Sequence, residues 1–212
     1  MQLTMLGWDE RFAARFTEIT EQEHIAGAMP LRIIRENREQ YIALGEHGEF
    51  RCEVSGKFRY TRMEQSSFPA VGDWVVATGD AEGDHAIIHA VLDRFSAFSR
   101  KVPGEVTEEQ VIAANINTLF IVTGLDENFN VRRIERYATL AWDSGAVPVL
   151  ILNKADLCPD VAERLEQVEE VACGADTAVV SAVEGEGLGR LREYITTGRT
   201  VAFVGSSGVG KS

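Results

Sequence analysis

The spacing of apolar positions along the 212-residue chain changes character twice. In the opening stretch Leu6, Phe12, Phe16 and Ile19 fall close to helical spacing, with Trp8 nearby and acidic residues between them. That pattern predicts a short amphipathic helix docked by its apolar side on the body of the protein. From Leu31 the chain turns to short β-rich segments at 31–35, 40–44, 49–54, 73–78 and 85–92, broken at Gly45, Gly48, Gly56, Gly72, Gly79 and Gly83. Five short strands in so few residues predict a small closed barrel, and the oligonucleotide-binding (OB) fold is the commonest five-stranded solution. Residues 97–110 lose the alternation and contain Pro103-Gly104, which reads as a linker. Beyond Val111, strand-like runs at 118–123, 147–152, 178–180 and 200–204 alternate with helical patterns at 131–143, 160–172 and 187–195. Apolar strands alternating with helices imply a parallel sheet covered on both faces, with ligands bound beyond the carboxyl ends of its strands. The expected organisation is a helical extension (1–27), a barrel (28–96), a linker (97–110) and an α/β domain (111–212).

Composition narrows the class without changing this picture. With 45% hydrophobic and 25% charged residues, 19 Gly and 5 Pro, the chain is in the soluble globular range. Its apolar runs fall far short of the roughly 20 residues needed to cross a bilayer, so no membrane partner is expected. The first 26 residues carry Asp9, Glu10, Glu18, Glu21 and Glu23 against Arg11 and Arg15, the wrong charge for a leader, so a cytoplasmic location is expected. Three scattered cysteines, Cys52, Cys158 and Cys173, indicate neither a disulfide framework nor a zinc knuckle. A net charge of −12, with the acidic excess in the second half, repels bulk polyanions. Any nucleic-acid contact must therefore be a local patch. One candidate is Ser55-Gly56-Lys57-Phe58-Arg59-Tyr60-Thr61-Arg62, in which Lys57, Arg59 and Arg62 can pair phosphates and the interleaved rings can stack bases. An ordinary solvated hairpin is the alternative.

The strongest chemical signal is Gly205-Ser206-Ser207-Gly208-Val209-Gly210-Lys211-Ser212, a complete G-x-x-x-x-G-K-S directly after an apolar strand. Its glycines let backbone N–H groups turn inward onto phosphate oxygens, Lys211 neutralises the β and γ phosphates, and the Ser212 hydroxyl would ligate Mg²⁺. The second signal is Asn153-Lys154-Ala155-Asp156 at the end of the strand 147–152. Guanine offers N1–H and N2–H₂ on one edge and a carboxylate accepts both, whereas adenine has no such pair, so Asp156 would select guanine. Asn153 would bridge base and phosphate loop, and the Lys154 stem would cover the base face. Taken alone, the motif also fits a helix-capping turn. Ser181-Ala182, after the short strand 178–180, would bring a backbone N–H to the base O6, its small side chains permitting close approach.

The base-reading motifs precede the phosphate loop, the reverse of the usual order. All three lie at one edge of one sheet, so a circular permutation leaves the spatial site intact. With that order the chain resembles the circularly permuted GTPases of bacterial ribosome assembly, the ribosome small subunit-dependent GTPase A type. The likeness rests on Ser55-Gly56-Lys57, Pro69-Ala70-Val71-Gly72-Asp73-Trp74-Val75, Phe98-Ser99-Arg100-Lys101, residues 110–116, Asp126 with Phe129-Asn130, Arg132-Arg133-Ile134-Glu135-Arg136-Tyr137, residues 153–157 and residues 205–212.

The resemblance implies an OB barrel contacting the small ribosomal subunit and its rRNA, a GTPase domain using GTP/GDP with Mg²⁺, and a C-terminal zinc-binding domain in a protein expected to be monomeric. The expected fold is thus a five-stranded OB barrel followed by an incomplete, circularly permuted P-loop GTPase domain. Against the family pattern the chain stops at Ser212, before the helix after the phosphate loop, the switch segments with their D-x-x-G, and the zinc domain. It reads as truncated at the phosphate loop and is expected not to turn over GTP by itself, with no catalytic residue assignable. Two other readings remain open: a nucleic-acid-binding barrel with an inert nucleotide domain, and a phosphate-loop ATPase or kinase.

Overall fold

The structure, a computed structural model, describes residues 1–37, 40–61, 65–80, 83–101 and 109–211. It divides into two compact units, Met1–Asn115 and Ile116–Ser212.

In the first unit, strands β1 (Ala28–Asn37), β2 (Gln40–Gly45), β3 (Gly48–Val54), β4 (Trp74–Gly79) and β5 (His85–Val91) close into a barrel of order β1-β2-β3-β5-β4. All neighbours are antiparallel except β3 with β5. Alternation fills the interior with Leu31, Ile33, Tyr41, Ala43, Phe50, Cys52, Val75, Ala77, Ala86 and Ile88. The other face of β4 is buried too. Trp74 and Val76 pack outward against helix α1 (Glu10–Gln22), which presents Phe12 and Ile19, with Trp8 edge-on to Trp74 at 4.7 Å. Asp9 starts α1 by accepting from the backbone N–H groups of Arg11 and Phe12.

Immediately before β4, Asp73 is fully buried and holds Arg94 in a two-pronged pair. Arg94 Nε donates to Oδ1 at 2.8 Å and Nη2 to Oδ2 at 2.6 Å, while the guanidinium also donates to the carbonyls of Ser66 and Phe68. The Ala70 N–H completes the carboxylate's shell at 2.8 Å. The pair thereby holds the 66–73 segment together around Arg94.

Two sequence expectations are corrected here. The basic segment that begins at Ser55, for which a solvated hairpin was the alternative to a nucleic-acid patch, is a helix, α2 (Gly56–Thr61), because the Ser55 hydroxyl accepts from the Phe58 N–H and Phe58 is buried edge-on to Phe68. The segment read as a linker pairs as an antiparallel ribbon of β6 (Ala97–Lys101) with β7 (Glu109–Ala114). Ala97, Val111 and Ala114 pack there against Ala70, so the first unit runs on to Asn115. Charged and amide residues at the strand ends, such as Arg100 and Gln110, hid the alternation. The Pro103-Gly104 step lies outside the described residues.

The second unit is a parallel sheet of order β10-β9-β8-β11, built from β8 (Thr118–Gly124), β9 (Val147–Asn153), β10 (Asp176–Val179) and β11 (Val201–Val204). Phe120, Val122, Val149, Ile151, Ala178 and Val180 pack on one face with Leu188, Leu191 and Tyr194. Helix α3 (Val131–Asp143), capped by Asn130, buries Ile134, Ala138 and Ala141. Helix α4 (Val161–Glu169) follows β9. The helix expected over 187–195 is a 3-10 turn, Leu188–Glu193, entered through Gly187 in a left-handed conformation. Among the described residues no helix is long and apolar enough to cross a membrane.

Removing one partner of a buried ion pair strands the other, so Asp73→Ala should destabilise the first unit by about 3–5 kcal/mol in denaturant unfolding. A loss below about 1 kcal/mol would deny the pair its role.

Candidate nucleotide site

The parallel register brings the carboxyl ends of β8 and β9 together, with Gly124 opposite Asn153, and sets β11 against β8 with Val204 opposite Ile121. The loops that follow these strands, and the one that follows β10, whose Val179 lies opposite Leu152 of β9, therefore leave one sheet edge.

Asn153, only 4% exposed, ties them together. Its Nδ2 donates to the Val209 carbonyl in the phosphate loop at 2.9 Å, and its Oδ1 accepts from the Ala182 N–H at 3.0 Å. The backbone continues the tie, since the Leu125 N–H donates to the Asn153 carbonyl and the Ala155 N–H to the Val180 carbonyl. Gly210 is required by this arrangement: its φ is +88°, and an added Cβ would lie 2.3 Å from Asn153 Nδ2.

Lys154 follows in a left-handed conformation, φ +66°, an unfavourable state for a side-chain-bearing residue. Its Nζ reaches Asp126 Oδ2 at 2.7 Å. Asp126 lies in the turn after β8 and also accepts from the Asn128 N–H. Hydrogen bonding to Lys154 holds the Asp126 carboxyl below the usual carboxylate range. Asp156 Oδ1 accepts from the Ser181 hydroxyl at 2.6 Å, and buried Ser181 exchanges two backbone hydrogen bonds with Glu186.

In the phosphate loop Gly205, Gly208 and Gly210 all have positive φ, and Val209 is buried in the sheet's apolar cluster. Lys211 folds back across the loop, its Nζ donating to the carbonyls of Gly205 at 3.0 Å and Ser206 at 2.7 Å. A loop so wound, with its ammonium held at the mouth, suits a polyphosphate.

The sequence-predicted nucleotide residues Asn153, Lys154, Asp156, Ser181, Ala182 and 205–211 thus assemble at one edge, while Ser212 lies outside the described residues. One detail departs from expectation. A backbone N–H of Ser181-Ala182 was expected at the base O6, but the Ser181 N–H donates to the Glu186 carbonyl and the Ala182 N–H to Asn153. Asp126 carried no role in the sequence reading, although its place two residues after the strand-ending Gly124 was visible. Of the basic patch, Lys57 and Arg59 sit on α2 in the first unit, where Lys57 is ion-paired with Glu23. Tyr60 beside them is 89% exposed, and Arg62 lies outside the described residues. No cluster of three or more His, Cys, Asp or Glu that could hold a metal occurs among the described residues.

Strand order and motif order together define an α/β phosphate-loop domain whose phosphate loop follows the N-K-x-D turn in the chain. The sequence profile of the RsgA GTPase family matches residues 91–212, and the chain belongs to that family. It is 49% identical over 183 residues to the small ribosomal subunit biogenesis GTPase RsgA 2 of Lactiplantibacillus plantarum, covering 85% of this chain and 51% of that one. It is 39% identical over 220 residues to the RsgA of Opitutus terrae, covering 100% and 59%. The crystal structure of YjeQ from Thermotoga maritima matches with a TM-score of 0.70 at 25% identity over 87% of this chain and 63% of that one. That of YloQ, described as a circularly permuted GTPase, matches in fold with a TM-score of 0.64. The chain thus spans between half and two thirds of the length of these relatives.

Replacing Asn153 by Ala would leave the buried Val209 carbonyl without its partner, at about 1–3 kcal/mol, and release the Ala182 N–H. Asn153→Ala should therefore destabilise the second unit and raise hydrogen exchange at the Ala182 amide. Unchanged exchange there would remove Asn153 from its bridging role.

Proposed function

We propose that this chain forms the barrel and part of the nucleotide domain of a GTP-binding and GTP-hydrolysing factor in maturation of the small ribosomal subunit. The observation that carries the reading is the Asn153 carboxamide, which joins the N-K-x-D turn, the Ser181-Ala182 loop and the phosphate loop although these stand in reversed order along the chain. The names of the relatives, small ribosomal subunit biogenesis GTPases, support the biological assignment.

In this reading the phosphates of GTP lie in the loop 205–211, and Lys211 exchanges its two carbonyl partners for phosphate oxygens. Bound Mg²⁺ would offset charge on the phosphates, with the Ser212 hydroxyl as its protein ligand. Asp156 keeps acceptor capacity beyond its bond from Ser181 and takes the N1–H and N2–H₂ of guanine. A backbone N–H of the Ser181-Ala182 loop meets the base O6. The complete protein works in the cytoplasm as a monomer and carries its zinc-binding domain beyond residue 212. The barrel contacts rRNA through Lys57, Arg59 and Arg62, with Tyr60 as an exposed stacking surface.

Nucleotide preference tests the core of this reading: the full-length protein should bind GDP and refuse ADP, and ADP preference would turn the assignment to an ATPase or kinase. Asp156→Asn should lower guanine nucleotide affinity by about 100-fold or more and admit xanthine nucleotide, because the amide donates where the carboxylate accepted. Unchanged GDP affinity in this variant would exclude Asp156 as the base reader.

For the barrel, alanine at Lys57, Arg59 and Arg62 together should lower the salt slope of small-subunit co-sedimentation by about 0.7 to 0.9 per lost phosphate contact. An equal slope in a variant that melts like the parent would take this surface out of the interface. That outcome would mean that Lys57 serves only its partner Glu23.

A further inference from the structure

We infer that Asp126 is a positioning residue of the guanine site, holding Lys154 so that its stem lies ready over the base face; this rests on the guanine-nucleotide reading above. Lys154 Nζ and Asp126 Oδ2 meet at 2.7 Å, with side chains only 26% and 22% exposed. The carboxylate is held independently of the lysine, because its Oδ1 accepts from the Asn128 N–H at 3.0 Å. Gly124 makes room for it, since a Cβ there would stand 2.6 Å from Oδ1.

The turn bearing Asp126 is itself anchored. The Phe129 N–H donates to the Asp126 carbonyl, and Asn130 caps α3. Arg133 donates to the Asn128 carbonyl, and the Arg164 guanidinium from α4 lies 4.8 Å from the centre of the Phe129 ring. The Leu125 N–H bond to the Asn153 carbonyl ties this turn to the base-reading loop at 2.8 Å.

A lysine stem free in solution samples many rotamers and must lose them when it covers a base; a fixed carboxylate removes most of that loss beforehand. Because a stem contacts the face of the base and not its edge, its placement governs how tightly a purine is held, whereas Asp156 governs which purine is held. Asp126 should therefore set affinity without setting preference.

The test is a double-mutant cycle in the full-length protein, read by equilibrium nucleotide binding. Asp126→Ala should weaken GDP about 2- to 12-fold, in keeping with the cost of one immobilised side chain. Placed in an Asp156→Asn background, it should weaken xanthosine diphosphate by the same factor, leaving the guanine-to-xanthine ratio as Asp156 sets it. In a Lys154→Met background Asp126→Ala should have no further effect on GDP. An equal loss with and without the lysine would show that Asp126 acts only through its turn and overturn the proposal, as would unchanged affinity in the parent background. Asp126→Asn, which keeps the bond from the Asn128 N–H, should reproduce most of the alanine effect if the charge on Lys154 is what matters; full retention of affinity overturns it. GDP binding by the parent, with ADP refused, reports on the underlying reading separately. If the parent takes ADP instead, that reading falls, and the same cycle on ADP still judges Asp126, because a stem over the base face serves either purine.

Discussion

A buried primary amide has one end that donates and one that accepts, and the second unit depends on a single such group using both. Asn153 stands at the carboxyl end of β9, where the parallel register has already brought three loops to one edge. Its Nδ2 bond to Val209 and its Oδ1 bond from Ala182 turn that proximity into fixed geometry. Asp or Leu would be close in size, yet neither supplies a donor on one side and an acceptor on the other. The demand also propagates to Gly210, whose missing Cβ is what lets the carboxamide approach.

The first unit is organised by a different kind of constraint, the burial of β4 on both faces. Val75 and Ala77 complete the barrel interior, while Trp74 and Val76 belong to the cluster made with α1. The strand is entered directly from Asp73, whose pair with Arg94 positions the preceding loop. An apolar wall and a buried ion pair thus act on adjacent residues, one closing the barrel and the other directing the chain into it.

Much of this was legible in the sequence. Period-2 alternation over 40–44, 49–54 and 85–92 identified barrel strands, and the uninterrupted apolar runs at 118–123 and 147–152 identified central parallel strands, because burial on both faces leaves no polar alternate. The nucleotide motifs were legible because a phosphate loop and an N-K-x-D turn need particular residue types at fixed spacing. What failed was local. The helix α2 is only six residues long, and its start depends on a Ser55 cap and on burial of Phe58 against Phe68, a contact made ten residues away. The β6–β7 ribbon was hidden because its partner strands are short and polar at one end. The Asp126 contact spans 28 residues of sequence and depends on strand register, which no local window contains.

The sheet order has a consequence for how the molecule is made. The strand β11 pairs with β8, residue 201 opposite residue 118, so the phosphate-loop strand joins a partner from which β9 and β10 separate it in the chain. During synthesis from the amino terminus the N-K-x-D turn and the Ser181-Ala182 loop emerge well before Gly205, and the Val209 carbonyl that Asn153 grips emerges later still. In a GTPase of ordinary order a nascent chain displays a phosphate cradle first and acquires its selectivity afterwards. Here the N-K-x-D turn is laid down first, and the pairing of β11 with β8 can form only after the strand that carries the phosphate loop has emerged, which makes this non-local contact a late step for the described residues.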